Sequence, residues 1–150
     1  MFAAPVIEAT AEGQELLELF PKLWTPKPVK DAFCGYSKNQ QVKFLDNKDG
    51  RSQKFSVAYL RTLWQAQVLL TENRLPVLVD DEAMRVILKE LKYMSQGKIR
   101  EPETMGFVLA SAESLRLKVN SAFDARPDQD RKPDLDAVND FLLRVRKNNW

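Results

Sequence analysis

The segment Gln41-Val42-Lys43-Phe44-Leu45-Asp46-Asn47-Lys48-Asp49-Gly50-Arg51-Ser52-Gln53-Lys54-Phe55-Ser56-Val57 alternates apolar and polar residues on both sides of an Asp-Gly pair. Asp-Gly favours the type I′ turn, whose two central residues take positive φ and whose twist matches a pair of antiparallel strands. With Asp49-Gly50 as the loop, Lys48 faces Arg51, Asp46 faces Gln53, Phe44 faces Phe55 and Val42 faces Val57. The segment therefore predicts a β-hairpin on an aromatic root. Its opposite face carries Lys43, Leu45, Asn47, Ser52, Lys54 and Ser56, and Lys48 and Arg51 crowd the tip, which makes a basic finger.

The chain after this segment reads as helices. Ser56 is placed to cap a helix running to about Glu72, in which Val57, Leu60, Leu63, Trp64, Val68 and Leu69 recur with helical period and Asn73 and Pro76 end it. Asp80 or Asp81 caps a second helix that stops near Gly97. Its inner face is Met84, Ile87, Leu88, Leu91 and Met94, and Arg85, Lys89 and Lys92 lie together on the other side, followed by Lys98 and Arg100. A third helix starts at Pro102 and buries Met105, Val108, Leu109, Ala112, Leu115, Val119 and Phe123. After the polar stretch 124–133, a last helix buries Leu135, Val138, Leu142 and Val145. Its acids Asp134, Asp136 and Asp140 sit early and its bases Arg144, Arg146 and Lys147 late, which suits the helix dipole.

Before the hairpin segment, Thr10 to Phe20 forms a short amphipathic helix that Pro21 ends, and the stretch from Pro21 to Pro28 reads as an extended connector anchored by Trp24. The expected fold is mostly α (α+β): four to five helices around one core, with a single β-hairpin at about residues 42–57. With 150 residues, 44% of them hydrophobic, the chain is read as one globular domain, residues 1–150, with residues 1–30 as a docking arm.

The composition removes several function classes. There is no histidine, which excludes Ser-His-Asp and Cys-His nucleophilic sites and imidazole zinc sites. Cys34 stands alone, as in a reducing cytosol, and reads as a small buried residue rather than a nucleophile. The amino terminus meets Glu8 before any long apolar run and has no basic n-region, so a cytoplasmic protein without a signal peptide or membrane span is expected. The five glycines form neither a Walker nor a dinucleotide loop. Asp46-Asn47-Lys48-Asp49-Gly50 lacks the calcium-loop spacing, and of the acids Asp128, Asp130, Asp134 and Asp136 the last two fit helix capping better than a metal site. Asp81 with Glu90 and Lys92 echoes a nuclease motif, but on a helix Glu90 and Lys92 point apart. No catalytic residue, metal or cofactor is assigned.

The charges are blocked along the chain. Residues 1–21 hold Glu8, Glu12, Glu15 and Glu18 and no base, whereas residues 22–61 hold nine bases against Asp31, Asp46 and Asp49. Bases interleave with rings: Lys22 and Trp24, Tyr36 and Lys38, Lys43 and Phe44, Lys54 and Phe55, Tyr59 and Arg61. Cations neutralise phosphates and exposed rings stack on bases, so the expectation is a non-enzymatic protein associated with RNA or DNA. Lys43, Lys48, Arg51 and Lys54 of the hairpin and Arg85, Lys89 and Lys92 of the helix would hold the backbone, with Trp24, Tyr36, Tyr59 and Trp150 as stacking rings. The expectation from another class is a protein-interaction module or self-assembling accessory subunit, in which acidic residues 8–18 dock on the basic 22–61 block of a neighbour.

Overall fold

Ser52 to Glu72 form one 21-residue helix, and twelve of those residues are buried. A helix that is covered on most of its circumference needs neighbours on several sides, and the rest of the chain supplies them. The computed structural model describes residues 10–148. They form α1 (Ala11–Leu23), α2 (Pro26–Leu45), α3 (Ser52–Glu72), α4 (Glu82–Tyr93), α5 (Gln96–Ile99), α6 (Pro102–Asp124) and α7 (Leu135–Asn148), with a 3-10 turn at Lys48–Gly50. α3 packs most extensively on α2 and α6, and α4 covers a further side. The main core joins Phe44 of α2, Phe55, Tyr59, Leu60, Leu63 and Trp64 of α3, Leu88 and Leu91 of α4, and Val108, Ala112 and Leu115 of α6.

The expected β-hairpin over 42–57 is absent, and among the described residues there is no strand. Residues 42–45 are the last turn of α2 and residues 52–57 the first turns of α3, and the described residues hold seven helices where four to five were expected. The turn itself matches the expected dihedrals: Asp49 (φ 55°) and Gly50 (φ 62°) are both left-handed, and so is Asn47 (φ 47°). What differs is the flanks. Phe44 belongs to a helical stripe with Pro26, Phe33, Ser37 and Gln40, and that stripe lies buried or half-buried. Burying it along two long helices outweighs a two-stranded ribbon, which is marginal alone.

Two further boundaries move. The expected extended connector shrinks to Trp24 and Thr25, because Pro21 sits in the last turn of α1 and Pro26 starts α2, where its missing N–H has no partner to lose. α4 stops at Tyr93 rather than near Gly97. Met94 turns extended (ψ 144°), and the Ser95 hydroxyl accepts from the Lys98 amide at 3.3 Å to start α5. Ser56 is no cap, since α3 starts at Ser52 and the Ser56 hydroxyl donates to the Gln53 carbonyl (2.9 Å), and Leu135 and Leu142, expected inside the last helix, are exposed while Phe141 is buried. The other helix signals lie where the sequence puts them. Thr10 accepts from the Gly13 amide (3.1 Å), Asp81 from the Met84 amide (2.8 Å) and Asp134 from the Ala137 amide (3.0 Å). Left-handed Asn73 ends α3, and Pro102 starts α6.

Residues 10–30 of the expected docking arm are built into the helical assembly; residues 1–9 lie outside the described residues. Trp24 packs with Ala66, Leu69, Leu70 and Val119 in a second core cluster. The Arg126 and Arg131 guanidiniums lie 5.0 and 5.6 Å from its ring centroid. Arg126 donates to the Leu70 carbonyl (2.6 Å), to Asn73 Oδ1 (3.0 Å) and twice to Asp128, while Arg131 donates to the Trp24 carbonyl (2.8 Å). This clamp ties the link between α6 and α7 to the ends of α1 and α3. α7 then returns antiparallel along α1: the Asp134 amide donates to the Lys22 carbonyl (3.1 Å), and Arg144 pairs with Glu15.

The hydrogen bonds from Arg126 hold the Asp128 carboxyl below its ordinary value of 3.8. A carboxylate depressed on folding contributes stability that is present above its unfolded pKa and lost as pH falls through the folded one. Asp128→Asn is expected to lower stability at neutral pH and to flatten the loss of stability below pH ~4, both read from urea midpoints across pH.

Candidate nucleic-acid interface

The corner between α2 and α3 is short because three of its residues, Asn47, Asp49 and Gly50, adopt positive φ. Asn47 also organises it. Its Oδ1 accepts from Ser52 Oγ on α3 and from Gln96 Nε2 on α5, both at 2.7 Å. Gln53 Nε2 donates to the Met94 carbonyl at 3.1 Å. Arg100 donates to the Phe44 carbonyl at 2.7 Å and the Leu45 carbonyl at 3.1 Å, so it satisfies the end of α2 from more than fifty residues away. The Gln96 amide oxygen is left buried without a partner, so this tie carries a cost of about 1–3 kcal/mol that the other bonds must exceed.

These bonds bring the junction of α4 and α5 onto the corner. Residues 43–54 and 92–101 together hold Lys43, Lys48, Arg51, Lys54, Lys92, Lys98 and Arg100 against Asp46, Asp49 and Glu101. Lys43, Lys48, Arg51, Lys54, Lys92 and Lys98 are exposed. Lys48 Nζ lies 3.7 Å from Asp49 Oδ1, the Lys43 ammonium 5.8 Å from the Phe55 ring centroid, and the Lys92 ammonium 5.2 Å from that of Tyr93. α3 starts here with neither a side-chain cap nor an acid in its first turn, so its positive end adds to the field of the bases. Lys89 and Arg85 continue the exposed face of α4 away from the corner, and Arg85 is paired with Glu82. All seven bases singled out in the sequence are thus on the surface. Four sit at the corner, Lys92 sits at the end of α4 that joins it, and Lys89 and Arg85 lie one and two turns further back.

The rings are placed differently. Tyr59 is 1% exposed in the main core, where its hydroxyl accepts from Arg116 at 3.3 Å, and Trp24 is 8% exposed between its two arginines. Tyr36 is 52% exposed on α2, two turns before Lys43, and is the one of the three that offers a face to solvent. Trp150 lies outside the described residues. Lys98 and Arg100 enter the site although the sequence marks them only as bases following a helix. Their position depends on contacts with residues 44–47 that no local pattern encodes.

The other chemistry-bearing groups are occupied by the fold. The cleft of about 580 Å³ beside Arg126 and Arg131 is bounded by guanidiniums already committed to Asp128 and to backbone carbonyls. Asp134 caps α7, and among the described residues no three His, Cys, Asp or Glu gather as metal ligands. Cys34 is half-buried against the second core cluster, and burial pushes its thiol up, away from the thiolate. Of the acidic segment 8–18, Glu15 is engaged by Arg144 of its own chain, and Glu8 lies outside the described residues. No helix among the described residues is long and apolar enough to cross a membrane. Compared with protein-family models, with curated proteins and with solved structures, the chain matches none.

Removing the tie at the end of α2 tests the geometry of the corner. Arg100→Ala is expected to destabilise by about 1–3 kcal/mol, since it removes charge-assisted bonds to two helix-end carbonyls. Amide exchange should quicken at residues 44–53 more than in α7.

Proposed function

We propose that the protein is a non-enzymatic nucleic-acid-binding protein that holds the phosphate backbone of RNA or DNA on the basic corner of α2 and α3. The observation that supports it is the gathering of seven bases against three acids on two segments, 43–54 and 92–101, tied together by the Asn47 and Arg100 bonds. A pre-set cluster of cations gains affinity by displacing counterions and has no need of base-edge contacts. The exposed face of α4, with Lys89 and Arg85, extends the track, and Tyr36 supplies a ring for a splayed base.

The test is fluorescence anisotropy with labelled single-stranded RNA, single-stranded DNA and duplex DNA at several salt concentrations. Lys48→Glu with Arg51→Glu is expected to weaken binding alike for unrelated sequences and to reduce the slope of log K against log salt by about 0.7–0.9 for each phosphate no longer neutralised. The same charge change at Lys22 and Lys132, away from the corner, is the control and should leave most of the affinity. Equal losses in the two double variants, or none in either, would sink the proposal.

A further inference from the structure

α4 and α6 each pack on α3, and a groove runs between them over Leu60 and Trp64. Two cavities of about 210 and 490 Å³ share Ile87 and Phe107, which makes the groove continuous. Its α6 wall is low, because Ala110, Ser111 and Ser114 are small, and Phe107 is left 49% exposed. Glu90 and Glu103 stand together at one end, with no ion pair to either among the described residues, and Lys118 stands at the other beside Asp81. Glu103 and Lys118 are fifteen residues apart on α6, about 22 Å.

The same chain carries a helix of matching pattern. On α7, Leu135, Leu142 and Leu143 are 62%, 53% and 57% exposed, whereas Phe141 faces inward and α7 packs on α1 through its other side. Asp136 lies in its first turn and Arg146 and Lys147 in its last. From Asp136 to Lys147 is eleven residues, about 16 Å, which fits within the length of the groove. Groove and helix are thus both apolar in the middle, and the acidic end of the groove at Glu90 and Glu103 is opposite in charge to the basic last turn of the helix.

We propose that the groove between α4 and α6 takes the outward leucine face of α7 from a second copy of the chain, with Arg146 and Lys147 over Glu90 and Glu103 and Asp136 toward Lys118. This is the mode in which an amphipathic helix lays its apolar face in a groove while end charges set its direction. α7 keeps its own contacts with α1, so no part of the donor unfolds. The two surfaces are different patches of one molecule, so the contact is heterologous, and repetition of it joins copies head to tail. Met94 at the edge of the corner lines the groove, but neither surface includes a base of the corner, so the proposal stands independently of nucleic-acid binding.

Sedimentation of the full chain without nucleic acid, at rising concentration and low salt, tests it. The wild type is expected to grow in mass beyond a dimer. Leu142→Glu, which spoils the helix face, and Phe107→Glu, which spoils the groove, should each weaken self-association about tenfold or more. Mixed together, these two variants should form a one-to-one complex and stop there, because each retains the surface that the other lacks. Glu90→Lys with Glu103→Lys changes only exposed side chains, so helicity by circular dichroism should persist. Its association should fall and should return when Arg146→Glu and Lys147→Glu are added. A wild type that stays monomeric throughout, or a mixture that fails to pair, overturns the proposal.

Discussion

The left-handed turn at residues 47–50, locked from outside by Gln96 and Arg100, is the constraint from which the rest of the molecule follows. Positive φ at Asn47, Asp49 and Gly50 reverses the chain within a few residues, so α2 folds back along α3 instead of continuing past it. Once α2 lies on α3, Phe44 reaches the same core as Phe55 and Leu88, and the bases on either side of the turn are forced to one end of the bundle. Arg100 closes the arrangement by satisfying carbonyls of the last turn of α2, which links residues that are distant in sequence. A turn that merely connected two helices would leave the Phe44 carbonyl with only the amides of the turn itself and the junction of α4 and α5 unplaced.

Arginine and lysine divide the labour. Arg74, Arg100, Arg116, Arg126 and Arg131 are partly buried and donate to carboxylates, a hydroxyl or backbone carbonyls, where a planar fork with five donors is well used. Lys43, Lys48, Lys54 and Lys98 stand exposed at the corner with flexible stems and compact charge. The arginines at the far end brace Trp24 and fix how α1 and α7 join the bundle. The lysines at the corner make only exposed contacts, Lys43 over the Phe55 ring and Lys48 with Asp49, and their ammonium groups face solvent where a polyanion can meet them. A rigid base carrying mobile cations suits contacts with a backbone of regular charge, where position along the strand matters less than density.

Much of the helical content was legible because it rests on local chemistry. Thr10, Asp81, Asn73 and Pro102 act where capping rules place them, and the apolar period of α3, α4 and α6 names their buried faces. α2 was hidden because its inward stripe carries Ser37 and Gln40, both buried, so its hydrophobic period is weak and two prolines near its start resemble an extended connector. In residues 42–57 an alternation of two and a period near three and a half fit the same few apolar positions, and Asp49-Gly50 has the dihedrals of a hairpin turn whichever structure flanks it. Only the packing of whole helices separates the two. The basic residues at the corner could be read from the sequence. Their union with Lys98 and Arg100 and the burial of Tyr59 and Trp24 could not, since each depends on a neighbour far along the chain.

The most direct measurement is a lysine-acylation footprint of the intact protein with and without single-stranded RNA at low salt, read residue by residue by mass spectrometry. Binding on the corner predicts that Lys43, Lys48, Lys54 and Lys98 become protected together while Lys22, Lys27, Lys118 and Lys132 react as before. Protection spread evenly over both groups, or confined to the second, would contradict a basic corner that holds the nucleic-acid backbone.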